Sequence, residues 1–307
     1  MKPAPFEYVA PRSTEEAIAA LAMGGPDAKP LAGGQSLIPL LNFRLARPSL
    51  LVDLNRVAEL AYVTPRQGGV AIGALTRQAA VERSRELSIA QPLLVEAIRW
   101  VGHTAIRTRG TIGGSLAHAD PAAELPAVAV CLEAQLTVQG PHGRRTVAAE
   151  DFFQGYLTTV LRPDELLVEA WLPPLRPATG QAWLEFARRH GDFALAGVAV
   201  SLTLDRAGNV DSAHIVLTGV GGKPVRAREA ETLLVGGSVP DRASAAANAA
   251  RSAIDPDADI HASKEYRTHL AGVLTERAIR LAHERALAVA PAALDVRRSL
   301  ETLGRRA

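Results

Sequence analysis

Residues 109–126 read RGTIGGSLAHADPAAELP. The stretch holds a glycine pair (Gly113, Gly114), the acids Asp120 and Glu124 close to His118, and two prolines. Three readings compete: a metal or catalytic cluster, an ordinary turn before a helix, and a backbone cradle for a phosphate. A second stretch, AGGQS at residues 32–36, carries the same small-residue, double-glycine, serine pattern. Glycine lets the backbone take positive φ and approach a ligand with no Cβ in the way. Successive N–H groups can then line a concavity for anionic oxygens, and a serine adds a hydroxyl or caps the next helix. Gly-Gly also marks plain turns, as at Gly68 and Gly221, so either loop alone leaves the choice open. Two matched loops could hold the two phosphates of a dinucleotide.

Other nucleotide motifs fail. A P-loop needs a hydroxyl residue after its Gly-Lys, and GGKP at residues 221–224 has proline there. Asp53 ends a strand about twenty residues after Gly33, as a Rossmann acid would. Gly33 and Gly34 are adjacent, however, and no third glycine follows at the required spacing. His118 and Asp120, with His103 and Glu124 as helpers, could ligate a metal, but no helix carries metal-ligand spacing; loop shaping is the alternative. Glu124 opens a helix, where the dipole favours a carboxylate, and could accept hydrogen bonds from ribose hydroxyls.

Around these loops the first 55 residues read β-α-β-α-β. Ser13 and Glu16 have capping-box spacing. Ser36 can cap a helix that ends at Pro48, and residues 50–54 form a strand. Short strands follow over residues 60–78, with Thr76 capping the next helix. QLTVQGPHGRRTV is a hairpin turning at Gly140 to Gly143. LPPLRPATG, rich in proline, marks a boundary near residue 176. Beyond it AWLEFARR, GVAVSLTLD and DSAHIVLTGVG alternate as strands and three helical segments follow, which predicts a three-stranded antiparallel sheet with helices, hence α+β.

The 307 residues are 48% hydrophobic, enough for one large or two ordinary domains. Basic and acidic residues nearly balance, 34 against 32, and aromatics are only 4%, which excludes a nucleic-acid surface. Cys131, the one cysteine, lies in an apolar run and cannot by itself hold an iron–sulfur or zinc cluster. The N-terminal residues lack a signal-peptide core and no apolar run approaches a membrane span, so a cytoplasmic protein is the expectation.

Three segments in order are specific together: LAGGQSLIPLLNFRLARPSLLVDLNRV, RTRGTIGGSLAHADPAAELPAV and FARRHGDFALAGVAV. They resemble the FAD-binding medium subunit of the molybdenum hydroxylases, the xanthine dehydrogenase and carbon monoxide dehydrogenase family, over nearly the whole chain. The resemblance implies an α+β fold: a PCMH-type (vanillyl-alcohol-oxidase-like) FAD-binding domain at 1–176, in α/β subdomains of about 1–55 and 56–176. A C-terminal domain of the carbon monoxide dehydrogenase flavoprotein type would occupy 177–307.

It also implies roles. Ala32, Gly33, Gly34, Gln35 and Ser36, with Thr111, Ile112, Gly113, Gly114 and Ser115, would wrap the FAD pyrophosphate. Glu124 matches a cofactor-holding position that is usually Asp. Val101 and Leu167 match apolar positions lining FAD, and Asp192 and Phe193 the segment near the isoalloxazine. A lysine of the xanthine dehydrogenase branch aligns with Leu184, so its role does not transfer. No residue here would be catalytic and none would bind metal. Substrate would be oxidised on a large molybdopterin subunit and electrons relayed through a small [2Fe-2S] subunit. FAD on this chain would deliver them to an external acceptor, in a dimer of heterotrimers. The rivals are a stand-alone reductase of the same fold, like UDP-N-acetylenolpyruvoylglucosamine reductase, and a non-enzymatic scaffold that has lost FAD.

Overall fold

The computed structural model describes residues 2–304, and the side chains of residues 2–290. Strand Glu7–Val9, helix Thr14–Gly24, strand Ala28–Leu31, helix Leu37–Asn42 and strand Leu50–Asp53 follow in the expected β-α-β-α-β order. The three strands form a parallel sheet with Leu50–Asp53 in the middle. Ser13 Oγ accepts from the Glu16 N–H at 3.1 Å. The Glu16 carboxylate reaches past it to the Arg12 N–H at 2.8 Å, a capping box shifted by one residue. Ala17, Ile18 and Leu21 of this helix bury against Ala28, Val52 and Leu54. The second helix ends at Asn42, earlier than Pro48. Arg44 takes a left-handed conformation (φ 59°) and donates its N–H to Leu41 O at 3.0 Å, closing the last turn.

The next unit is a five-stranded antiparallel sheet in the order Val63–Arg66, Gly69–Gly73, Leu166–Leu172, Gln135–Gly140, Gly143–Ala148. Its hairpin turns at Gly140 and Gly143 as expected. Helices Pro92–Ile98, Ile112–His118 and Glu124–Cys131 share one apolar core with it. Thr76 does not cap a helix. Its hydroxyl bridges the Tyr62 carbonyl and N–H at 2.8 and 3.1 Å, and the following helix Gln78–Arg83 starts from Arg77. Cys131 is fully buried, and that burial pushes its thiol well above the usual thiol range, as suits a core residue.

The third unit is an antiparallel sheet of Thr179–Phe186, Ala196–Leu204 and Val210–Thr218, as the sequence predicts. A fourth strand of two residues, Val225–Arg226, extends it beyond the expected three. Both faces of the sheet are buried, and side chains alternate between them. Ala182, Val198, Val200, Ile215 and Leu217 face helices Arg228–Leu234, Val239–Ser252 and Lys264–Gly304. Trp183, Ala199 and Val216 belong instead to the core around helix Glu124–Cys131. Across this face Glu185 pairs with Gly197 and Gly197 with Thr218. The Thr218 hydroxyl contacts the carbonyls of Pro121 and Ala123, both at 2.9 Å, tying the sheet to the turn before Glu124.

Candidate functional site

The first glycine loop leaves the C-terminal end of strand Ala28–Leu31. Gly34 has φ +76°, a conformation that side chains disfavour. Gly33 lies against the other loop: a Cβ there would stand 2.8 Å from Gly110 Cα and press harder still on the Arg109 carbonyl. Four of the loop's five carbonyls, all but that of Gln35, accept a hydrogen bond. Ala32 O accepts from Asn55 Nδ2 at 2.9 Å, and Gly33 O from Gln35 Nε2 at 2.9 Å. Gly34 O accepts from the Ile38 N–H at 3.0 Å, and Ser36 O from the Leu40 N–H at 3.3 Å. In a trans peptide the C=O and the next N–H point in opposite directions. Securing the carbonyls of Ala32, Gly33 and Gly34 therefore turns the amides of Gly33, Gly34 and Gln35 the other way. Among the described residues, the N–H groups of Gly33, Gly34, Gln35 and Ser36 meet no acceptor. The Ser36 hydroxyl makes no cap bond. Four adjacent unfilled amides form a nest suited to anionic oxygens.

The second loop is built differently from the expected second row of free amides. Ile112 N–H donates to Thr76 O at 3.0 Å, Gly113 N–H to Ala74 O at 2.8 Å and Ser115 N–H to Thr111 O at 3.2 Å. The Gly114 N–H donates to Thr111 Oγ1 at 3.0 Å. Its glycines serve close packing. A Cβ on Gly113 would enter Ala74, and one on Gly114 would stand 2.7 Å from Thr111 Oγ1 and 3.5 Å from Ala32 Cβ. The two loops thus meet as walls of one cradle. The first carries free amides, and in the second the buried Thr111 caps the helix that holds Ser115.

A second meeting point joins Val101 to Asp192 and Phe193. Arg107, 7% exposed, pairs with Glu82 at 2.8 Å and donates to Val101 O and Gly102 O, both at 3.1 Å. Gly191, at φ +90°, lies against the Gly102 carbonyl and the His103 ring. His190 stacks on Trp100 with ring centroids 5.1 Å apart. Phe193 projects from this junction, 70% exposed, and Asp192 is exposed beside it. Leu167 is not brought into either group; it lies in the apolar core with Ile112 and Leu116. His118 ends helix Ile112–His118, and Asp120 Oδ1 accepts from the Ala122 N–H at 2.9 Å, a loop-shaping bond. Asp53 accepts from the Tyr8 hydroxyl at 2.6 Å and from the Asn55 N–H at 2.9 Å.

Glu124 is 7% exposed, and burial pushes its carboxyl up to about 7, with Asp120 adding to the effect. The sequence did not single out its companion, Glu185. That residue is also 7% exposed, and burial, then the Glu124 charge, push it up to about 9. Glu185 Oε2 accepts from the Trp183 indole at 3.3 Å, while Oε1 has no partner. Leu184 points to the opposite face, towards the C-terminal helices. A glutamate two residues after a buried tryptophan in a strand is the signal for Glu185. Asn55 and Arg77, which link the two loops, carried no comparable signal.

Residues 4–175 match the family described as FAD binding domain in molybdopterin dehydrogenase, and residues 181–282 that described as CO dehydrogenase flavoprotein C-terminal domain. The chain belongs to the FAD-binding medium subunits of the molybdenum hydroxylases. It is similar to the 6-hydroxypseudooxynicotine dehydrogenase complex subunit alpha of Paenarthrobacter nicotinovorans. The two are 45% identical over 93% of this chain and 97% of the relative. A carbon monoxide dehydrogenase chain from Hydrogenophaga pseudoflava superimposes with a TM-score of 0.91 at 40% identity, covering 93% of this chain and 99% of that one. A chain of quinoline 2-oxidoreductase from Pseudomonas putida 86 does so with a TM-score of 0.88 at 39% identity, over 93% and 99%. As a medium subunit the chain is an FAD-binding electron-transfer component of a multi-subunit molybdenum-containing oxidoreductase. Among the described residues, no helix is long and apolar enough to cross a membrane.

Proposed function

We propose that this chain holds FAD through the residues named from the sequence, with the pyrophosphate against the free amides of Gly33, Gly34, Gln35 and Ser36. That row of four unfilled donors is the observation that carries the assignment. Thr111 and Ser115 supply hydroxyl groups from the facing wall. Gly113 and Gly114 let that wall come close, and Ile112 anchors it in the core. Val101, Asp192 and Phe193 border the flavin ring, and Leu167 lines the cofactor from the core it shares with Ile112 and Leu116. Glu124, placed at the start of its helix, holds a hydroxyl of the cofactor. Bound flavin exchanges electrons one or two at a time, which suits an exchange between one-electron clusters and a two-electron acceptor.

The proposal includes a small [2Fe-2S] subunit as electron donor and a large molybdopterin subunit where substrate is oxidised. It includes a dimer of such heterotrimers in the cytoplasm and an external electron acceptor. The division of the chain near residue 176 is part of it. Purification from the native host with metal and flavin analysis is the test. The expected result is three subunits in equal amounts, carrying FAD, iron and molybdenum. A fully active single chain would overturn the reading.

A further inference from the structure

Two side chains outside the predicted cofactor segments meet between the glycine loops. Asn55 Nδ2 donates to the Ala32 carbonyl at 2.9 Å. Arg77 donates through Nη1 to the Arg109 carbonyl and through Nη2 to Asn55 Oδ1, the latter at 2.6 Å. Asn55 is fixed in turn by Asp53, whose Oδ1 accepts the Asn55 backbone N–H at 2.9 Å and whose Oδ2 accepts the Tyr8 hydroxyl at 2.6 Å. One hydrogen-bonded chain therefore runs from the first parallel strand to both loops. The Ala32 and Arg109 carbonyls mark the point where the loops touch, because Gly33 lies against Arg109. The peptide that Asn55 holds by its oxygen is the one whose N–H opens the row of free amides. The Arg77 guanidinium is half-buried and makes no ion pair among the described residues. Burial and the neighbouring Arg109 charge push its pKa down, and the Asp53 carboxylate offsets this only in part. Positive charge without an ion-pair partner among the described residues is thus held beside donors that have no acceptor.

We propose that Asn55 and Arg77 form a clasp that fixes the separation of the two glycine loops and aims the amides of the first at the dinucleotide pyrophosphate. Both are positioning residues. The guanidinium is needed for its fork, which spans the Arg109 carbonyl and the Asn55 amide oxygen at once, and not for charge alone. The clasp rests on the FAD reading above.

FAD titration of the flavin-stripped complex tests it, with the full-length chain as wild type, Arg77→Lys, Arg77→Met or Asn55→Ser. The phosphorus-31 resonances of bound FAD and the Tm of each stripped complex are recorded alongside. The clasp predicts at least tenfold weaker FAD binding in all three variants, the lysine variant included, because a lysine ammonium cannot replace the fork. The pyrophosphate resonances should shift while the visible flavin band and the Tm stay close to wild type. An Arg77→Lys complex that binds FAD like wild type would show that charge suffices and overturn the clasp. Unchanged phosphorus resonances, or weakening matched by a fall in Tm, would also overturn it. A wild-type complex that takes up no FAD overturns the function reading and the clasp together; uptake by wild type with indifferent variants overturns the clasp alone.

Discussion

Gly33 touches Arg109 backbone to backbone, seventy-six residues away in the chain, with no room between them for a Cβ. This contact joins the loop after strand Ala28–Leu31 to the loop that leads into helix Ile112–His118, and it depends on a missing methyl group rather than on any attraction.

Gly33→Ala should therefore force the loops apart. Its Cβ would overlap a carbonyl and a Cα, which cannot rotate away as a side chain can. Overpacking of this kind costs about 1–3 kcal/mol. Gly114→Ala meets mainly the Thr111 hydroxyl at 2.7 Å, a group that can turn aside at the expense of its cap bond. Gly33→Ala should lose most of its flavin, read as the ratio of absorbance near 450 nm to protein, and Gly114→Ala should lose less. Equal flavin content in Gly33→Ala and wild type would remove the loop contact from the account of binding.

Arg107 offers a separate test of the junction at Val101. Its side chain is 9% exposed and that of Glu82 22%, and the same guanidinium holds two loop carbonyls. Arg107→Met would leave Glu82 without its partner and both carbonyls without a donor. Removing one member of such a pair destabilises by roughly 3–5 kcal/mol. Chemical denaturation should show a lower midpoint with an unchanged slope.

The loops were legible because their double glycines before a serine stand inside longer segments that occur in a recognisable order; a third such triplet, Gly236, Gly237 and Ser238, only turns between two helices. The strands of the third unit were legible from their alternation, and the hairpin from its glycines. Free amides in one loop and satisfied amides in the other were not legible. The two patterns are nearly identical, and what separates them is the partner each backbone finds: Ala74 and Thr76 accept from the second loop, while among the described residues no acceptor meets the amides of the first. Asn55 and Arg77 escaped for a similar reason. Their partners are carbonyls, which every residue has, so no side-chain pattern marks them. Glu124 was noticed for its place at a helix start, but its raised pKa comes from burial, and the acid its charge acts on, Glu185, is brought in by a strand some sixty residues later.

These two acids should give stability a definite pH dependence. Their native-state values, about 7 and about 9, lie above the ordinary 4.5 of an unfolded glutamate. Between 4.5 and those values the native state holds more protons than the unfolded state, so stability falls as pH rises. The loss begins above about 4.5, slackens for Glu124 near 7, and continues for Glu185 to about 9. Each group contributes a slope of up to about 1.4 kcal/mol per pH unit. Tm measured from pH 5 to 9 should fall, and Glu185→Gln should flatten the curve by keeping a neutral side chain throughout. A variant curve parallel to that of wild type would show that Glu185 does not carry the effect.

Phe193 separates a binding role from a structural one. At 70% exposure its ring contributes little to the core, and exposed substitutions usually stay within about 0.5 kcal/mol. Its backbone is fixed from behind by Gly191 against Gly102 and by His190 stacked on Trp100, so the ring is held out at a set position. A planar apolar group held in this way is suited to offset packing on another ring. Phe193→Ala should leave the denaturation midpoint of the flavin-free protein unchanged while altering the fluorescence yield and the reduction potential of bound flavin. Phe193→Tyr, which keeps the ring face, should restore most of both. If the alanine variant matches wild type in fluorescence and potential, the ring does not reach the flavin and the exposed face must serve something else.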